Sequence, residues 1–497
     1  MKKPPSSISL SKSKITSGIQ CQKRLYLQIH EPDFAGERSE SQQAIFDQGT
    51  QIGLLAHKEF PGGVLIEAGY REPDKAIADT QKAIDAGAKV IFEAAFRFKN
   101  VLVRVDVLQR KSKTAPWHLI EVKSSTGVKE QYLDDIAVQA WVLQNCGIEV
   151  QDYFVMFINN QCVFPDLSEL FSRESVNDEI ETRIKAVPGI VQRFTKMLNE
   201  PKAPVVDIGP HCDDPYDCEF MDHCWSKKKL PTPNIFEVSG LGKKAWDYYN
   251  NGIVSLLDKQ IKNPTGHMAR AIDVAKTGRR FIDPDAITDE VEAWQWPLYY
   301  LDFETMNPAV PWVNGTRPFQ QVPFQFSCHI QDEPGGELKH VEYLHDSTSD
   351  PRESISAALV KSIGKKGSVV AYKKSAEAGA LKHLAEHSKK YAQHLNGIID
   401  RLVDPLPVIK DSVYDIGFAG SFSIKAVAPT LLGKSLSYED MAVGGGQQAQ
   451  IAFYEMIAPE TTAQRRGDLR KALLEYCKQD TLAMVKLVEW MFKQTSV

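Results

Sequence analysis

Residues 104–123 place acidic and basic side chains where two short apolar strands would present them side by side. The first run reads Arg-Val-Asp106-Val-Leu; after a polar turn, the second reads His-Leu-Ile-Glu121-Val-Lys123. Carboxylates bind a hard divalent cation through oxygen, and an adjacent lysine can orient or deprotonate an attacking water and offset phosphate charge. The chemistry available to Asp106, Glu121 and Lys123 is therefore metal-assisted cleavage of a phosphodiester. Alternation explains the spacing, because Glu121 and Lys123 share one face of a strand while Ile120 and Val122 take the other. An E-x-K pair by itself is common on solvated strand faces, so its weight comes from what surrounds it.

A second acidic set lies near the other end. Trp296-Pro-Leu-Tyr-Tyr-Leu-Asp302-Phe-Glu304-Thr reads as a strand with both acids on one face and Leu301 and Phe303 anchoring the opposite one. A strand that opens a core rarely points two acids inward without a cation. Downstream, Leu474-Glu-Tyr476-Cys-Lys-Gln-Asp480 reads as an amphipathic helix that carries Tyr476 and Asp480 on one side.

Cysteines supply a third set. Cys21 stands alone, and Cys212, Cys218 and Cys224 follow in a C-x5-C-x5-C run, so four thiols are available for one cluster. Eight cysteines over 497 residues, half of them grouped this way, argue for reduced thiolates rather than a secreted disulfide framework. Cys146, Cys162, Cys328 and Cys477 read as ordinary buried residues.

The arrangement of residues 8–226 resembles the CRISPR-associated and AddB-type PD-(D/E)XK nucleases, whose iron–sulfur cluster is held by one cysteine before the nuclease core and three after it. The resemblance implies Cys21, Cys212, Cys218 and Cys224 as ligands of a 4Fe-4S cluster. The five-residue steps depart from the C-x2-C step common in that family, so zinc stays as an alternative, although zinc sites more often show two close pairs. The resemblance also implies a histidine and a glutamine at the metal site. His57 of Gly53-Leu-Leu-Ala-His57 and Gln139 fit those places, against plainer readings as a packing histidine and a solvent-facing glutamine. A cluster tying residue 21 to residues 212–224 would close a long loop and remove much chain entropy.

The third part resembles the DEDD exonucleases, an RNase H-like fold in which four acids bind two metal ions, here Mg2+ or Mn2+. Tyr476 and Asp480 fit the tyrosine form of its last motif. That resemblance implies Asp302 and Glu304 as metal ligands with Asp480, and Tyr476 as the residue that positions the water. Glu377 fits as the fourth acid, with Asp411 as a fallback; Lys373 and Ala376 stand where that family commonly has an asparagine and an aromatic residue. The whole order of elements resembles the uncharacterised bacterial family DUF2779.

The fold class expected is α/β and multidomain: a PD-(D/E)XK restriction-endonuclease-like core over residues 1–228, a small helical module over 229–289 and an RNase H-like α/β domain over 290–497. Helices at 42–58 and 74–86 alternate with strands at 90–96, 102–108, 117–122 and 153–158. A charged, proline-bearing stretch at 226–234 reads as a linker. Gly240 and Gly242 then resemble the turn of a helix–hairpin–helix element, with a plain helical connector as the alternative. Gly444-Gly445-Gly446 reads as a flexible loop.

Composition bounds the rest. With 43% hydrophobic and 25% charged residues, the chain reads as globular, and no apolar run approaches the length of a membrane helix. The amino terminus shows no signal-peptide pattern, which points to a cytoplasmic protein without a membrane partner. Residues 1–30 hold six Lys or Arg and no acid, including Lys2, Lys3, Lys12 and Lys14, and read either as a phosphate-contacting arm or as a solubilising tail. The function expected is a metal-dependent nuclease acting on single-stranded DNA or DNA ends in repair, recombination or defence against foreign DNA. The alternatives are a nucleic-acid-binding scaffold with one or both centres inactive, and an RNA exonuclease.

Overall fold

The computed structural model describes residues 8–495, so Lys2 and Lys3 of the expected basic arm lie outside the described residues. The protein is a mixed α/β molecule with several sheets, and it divides into two compact units. The first comprises Met1–Lys229 with Ala309–Pro318, and the second Leu230–Pro308 with Phe319–Val497. Among the described residues, no helix is long and apolar enough to cross a membrane.

The sheet of the first unit contains β1 (Leu10–Ser11), β2 (Val64–Leu65), β3 (Val90–Phe98), β4 (Val101–Gln109), β5 (Trp117–Lys123), β6 (Val150–Ile158) and β7 (Phe171–Ser175). Its order is β2-β3-β4-β5-β6-β7, with β1 paired in parallel to β4. Hairpins join β3 to β4 and β4 to β5, whereas β5 and β6 run parallel and need a crossover. The helix Glu130–Asn145 provides it, and its buried run from Ile136 to Leu143 packs into the core with Leu119, Val103 and Val155. That packing brings a residue of the crossover helix beside the strand acids.

The second unit holds β8 (Phe281–Ile282), β9 (Leu298–Met306), β10 (Val322–Gln331), β11 (Leu338–Leu344), β12 (Val369–Val370), β13 (Leu402–Val403) and β14 (Val413–Tyr414). Its main sheet has the order β11-β10-β9-β12-β13, antiparallel from β11 to β9 and parallel from β9 to β13; β8 and β14 form a separate pair. β9 is thus the central strand, and it is buried along most of its length. The 32-residue helix Ala463–Gln494 packs on this sheet through residues that include Leu473, Cys477, Thr481 and Met484.

Residues 229–289 do not form the separate helical module that their composition suggests. Ile235, Leu256, Met268 and Ile272 share one core with Tyr300, Tyr414 and Val488, because the apolar faces of these short elements are too small to make a core of their own. Gly240 and Gly242 do adopt positive φ (81° and 49°), which permits the turn before the helix Lys243–Asn250. The triple glycine is likewise no free loop, since the helix Gly446–Ile457 begins at Gly446.

Candidate metal centres

In the first unit, β4 and β5 bring Asp106 and Glu121 to one cleft of about 480 Å3, lined also by Lys12, His57, Glu93 and Lys123. Glu121 is 1% exposed. Its Oε1 accepts from Lys12 Nζ at 2.7 Å and faces Lys123 Nζ at 2.9 Å, while its Oε2 accepts from Gln139 Nε2 at 2.7 Å. Asp106 Oδ2 accepts from the backbone N–H of Val122 at 2.8 Å, which locks the two strand acids into fixed relation. Lys123 is shared with Asp135 at 2.7 Å and lies over the Tyr132 ring.

Electrostatics sorts the two acids. Burial pushes Glu121 up, but the Lys12 and Lys123 ammoniums outweigh it and hold the carboxyl at about 2. Burial, reinforced by Glu121, pushes Asp106 up to about 7. One carboxylate is thus firmly ionised and the other takes its charge most readily beside a cation. The Oε1 of Gln139 is buried with no hydrogen-bond partner among the described residues, so Gln139 is an inward-facing group of the site and not a solvent-facing one. His57 closes the helix Glu40–Ala56 and stacks on Phe92 at 3.9 Å between ring centroids; burial lowers its pKa and favours the neutral, ligating imidazole.

Three residues here escaped the sequence reading. Asp135 is an ordinary helix acid until the crossover helix docks. Glu93 lies opposite Asp106 in the β3–β4 register, with a positive φ of 57° that no pattern announces. Lys12 reads only as part of a basic arm, but the β1–β4 pairing carries it to Glu121.

The four cysteines converge within this unit. Cys21 ends the helix Lys12–Gln20, and Gln20 Nε2 donates to the carbonyls of His211 (2.9 Å) and Tyr216 (2.6 Å) in the cysteine loop. The N–H of Cys218 donates to the carbonyl of Cys212 at 2.8 Å. Burial raises the thiols of Cys212 and Cys218, the latter to about 11, and both respond to Cys21, with Cys212 also responding to Cys224.

In the second unit, Asp302 and Glu304 of β9 meet Asp480 from the helix Ala463–Gln494 and Glu377 from the helix Ser375–His387. The parallel β9–β12 pairing delivers Glu377, because the chain leaving β12 turns directly into that helix. Burial raises Asp302 well above the usual carboxylate range, with Asp480, Glu304 and Glu377 adding to the effect. Burial and Asp480 push Glu304 up to about 8, and burial pushes Glu377 up to about 7. Burial raises Asp480 as well. Oε2 of Glu377 is buried without a partner among the described residues. Uncompensated acids in such density fit a divalent cation. Asp411, the fallback, is exposed on the helix Pro405–Ser412.

Hydroxyls and one ammonium frame these acids. Tyr438 Oη donates to Asp480 at 2.7 Å, and Lys425 Nζ donates to Tyr476 Oη at 2.9 Å and to the carbonyl of Gly444 at 2.7 Å. A Cβ added at Gly446 would sit 3.7 Å from Oε2 of Glu304, so the glycines let backbone approach the acids. Cys477 is not an ordinary core cysteine: its ligand atom and those of Asp302 and Glu304 all lie within 4.8 Å of one another, a triad that fits a divalent-metal site. Cys146, also expected to be buried, is exposed, whereas Cys162 and Cys328 are buried.

The departure at Lys373 has a backbone explanation. Its φ is 68°, a left-handed conformation that asparagine adopts more readily than lysine. Asp404 supports the turn by accepting from the N–H groups of Lys373 (3.0 Å) and Lys374 (2.9 Å).

Comparison with known proteins adds a family and few names. Residues 299–423 match the family described as "Domain of unknown function (DUF2779)", a span that includes Asp302, Glu304 and Glu377. The chain is 28% identical over 220 residues to "Uncharacterized protein UU173" of Ureaplasma parvum, covering 39% of this chain and 31% of that protein. It is 26% identical over 210 residues to "Uncharacterized protein MG366 homolog" of Mycoplasma pneumoniae, covering 38% and 31%. The matched stretch thus spans about a third of the length of these relatives. Among solved structures, the "alkaline exonuclease (LHK-Exo) from Laribacter hongkongensis" aligns with a TM-score of 0.21 and 12% identity, over 38% of this chain and 90% of that one.

Proposed function

We propose that this protein is a divalent-metal-dependent nuclease with two hydrolytic centres, acting on single-stranded DNA or DNA ends. The observation that carries the reading is the buried gathering of Asp302, Glu304, Glu377 and Asp480, drawn from three separate elements and left without matching cations. Mg2+ or Mn2+ would be held by these carboxylates, and in the first unit by Asp106 and Glu121 with His57. Bound there, the metal supplies a Lewis acid for the scissile phosphate and a water of lowered pKa. Tyr476, polarised by Lys425, positions that water in the second unit, and Lys123 does so in the first. A sheet of three antiparallel strands continued by two parallel ones, with its acids on the first strand, supports the RNase H-like, DEDD reading of the second unit; the E-x-K strand supports the PD-(D/E)XK reading of the first.

An unpaired strand suits the first cleft. Ile45, Phe46, Leu54 and Leu65 line it and are 60%, 58%, 57% and 43% exposed, which offers apolar and aromatic surface to unstacked bases above the acid and lysine floor. Cys21, Cys212, Cys218 and Cys224 would hold a 4Fe-4S cluster that ties the amino-terminal helix to the end of this unit. A single tetrahedral zinc would draw the sulfurs to within about 4 Å of each other. The work served would be repair, recombination or defence against foreign DNA.

The test is cleavage of end-labelled single-stranded DNA and RNA with Mg2+ or Mn2+ by protein prepared anaerobically, alongside Asp106→Ala and Asp302→Ala. Loss of cleavage in each variant is expected. Wild-type protein that cuts neither substrate would favour the scaffold reading, and cutting of RNA alone would make it an RNA exonuclease. Visible absorbance near 400 nm, as expected for thiolate-bound iron–sulfur, separates that cluster from colourless zinc.

A further inference from the structure

The first unit's centre contains one more ammonium than water activation requires. Lys123 is anchored twice, by Glu121 at 2.9 Å and Asp135 at 2.7 Å, and it packs over the Tyr132 ring. Lys12 is different. Its hydrogen-bonding partner among the described residues is Glu121, at 2.7 Å on the same Oε1 that faces Lys123. The ammonium also acts on Asp106, so it sits within reach of both strand acids.

Backbone structure puts it there. β1 pairs in parallel with β4, Leu10 opposite Val101 and Ser11 opposite Leu102, and Lys12 follows as the first residue of the helix Lys12–Gln20. Ser11 caps that helix at Lys14 N. Its body is fixed, since a Cβ at Gly18 would meet Phe194 and Leu25 at 2.7 Å, and its last residue, Gln20, is bonded into the cysteine loop. A dication entering this cleft meets two ammoniums on one carboxylate, and Coulomb repulsion requires one to leave. The singly anchored one yields.

We propose that Lys12 is a tethered cation that occupies the metal position of the first unit's centre, is displaced by the divalent ion, and then serves the scissile phosphate as a second ammonium beside Lys123. The inference rests on the reading of Asp106 and Glu121 as metal ligands.

The experiment uses the full chain carrying Asp302→Asn, so that Mn2+ binding reports the first unit. Calorimetric titration of this protein with Lys12→Gln should show Mn2+ bound at least about tenfold tighter, since a buried ion pair no longer has to be broken. Lys12→Arg, which keeps the charge, should bind as the parent does. Unchanged or weaker binding by Lys12→Gln overturns the proposal. Glu121→Gln should abolish the Mn2+ isotherm; if it does not, the metal-site reading itself fails, which is a distinguishable result. Wild-type protein supplies a measurement free of folding effects: acetylation of the Lys12 amine, followed by mass spectrometry, should rise several-fold when Mn2+ is added. Constant or reduced labelling overturns the displacement.

Discussion

The two acid clusters solve the burial of carboxylates in opposite ways. In the first unit Glu121 is met by two ammoniums and an amide, and it is held ionised at about 2. In the second, four acids face one another with Lys425 as the nearby cation, and the acids are pushed upward, Glu304 to about 8 and Glu377 to about 7. The first centre is balanced by its own side chains before any metal arrives. The second depends on an external cation or on protons. Charge balance, more than acid count, therefore decides how strongly each centre responds to metal and pH.

The contrast predicts mutational effects of opposite sign. Glu121→Gln strands two ammoniums and should destabilise the metal-free protein by about 3 kcal/mol, whereas Glu304→Gln removes a buried repulsion and should stabilise it at pH 8 by about 3 kcal/mol. Hydrogen exchange in β5 and β9 reads the two units separately, and shifts of the same sign would break the comparison. Mn2+ at a hundredfold excess over its dissociation constant should add about 2.7 kcal/mol of stability to the second unit. Asp302→Asn should lose that gain in calorimetry and Asp106→Asn should keep it.

The pH response sharpens the same point. Native Glu304 and Glu377 retain protons up to about 8 and about 7, above the ordinary glutamate value of 4.5, so the native state binds more protons than the unfolded chain across that window. Stability of the metal-free second unit should therefore fall as pH rises from 4.5 to 8, and the stabilisation by Mn2+ should grow over the same range. A melting profile that is flat or rising in that window would contradict the assignment. The smallest effect concerns backbone alone. Lys373→Asn should stabilise the protein by up to about 1 kcal/mol, measured by denaturant unfolding, because it suits the left-handed turn at φ 68°.

Much of the arrangement was legible in the residues. Alternation at 120–123 and 301–304 placed the acids on strands, and helical spacing put Tyr476 and Asp480 on one face; β5, β9 and the helix Ala463–Gln494 have those forms. What stayed hidden lacked a periodic or spacing signal. Lys12 looked like part of a tail and Asp135 like any surface helix acid, while Cys477 looked like core and Gly446 like slack loop. Each gains its role from a partner far away in the chain.

Sequence by itself determined which residues have the chemistry to bind a cation and which faces of their strands and helices carry them, since side-chain periodicity is a local property of the backbone. Only the tertiary structure decided which charges meet. The β1–β4 pairing sets Lys12 on Glu121, and the β9–β12 pairing leads Glu377 toward Asp302. Those meetings fix whether a buried carboxylate is neutralised from within or waits for a metal, because Coulomb energy depends on distance through space and local dielectric, neither of which is written in sequence separation.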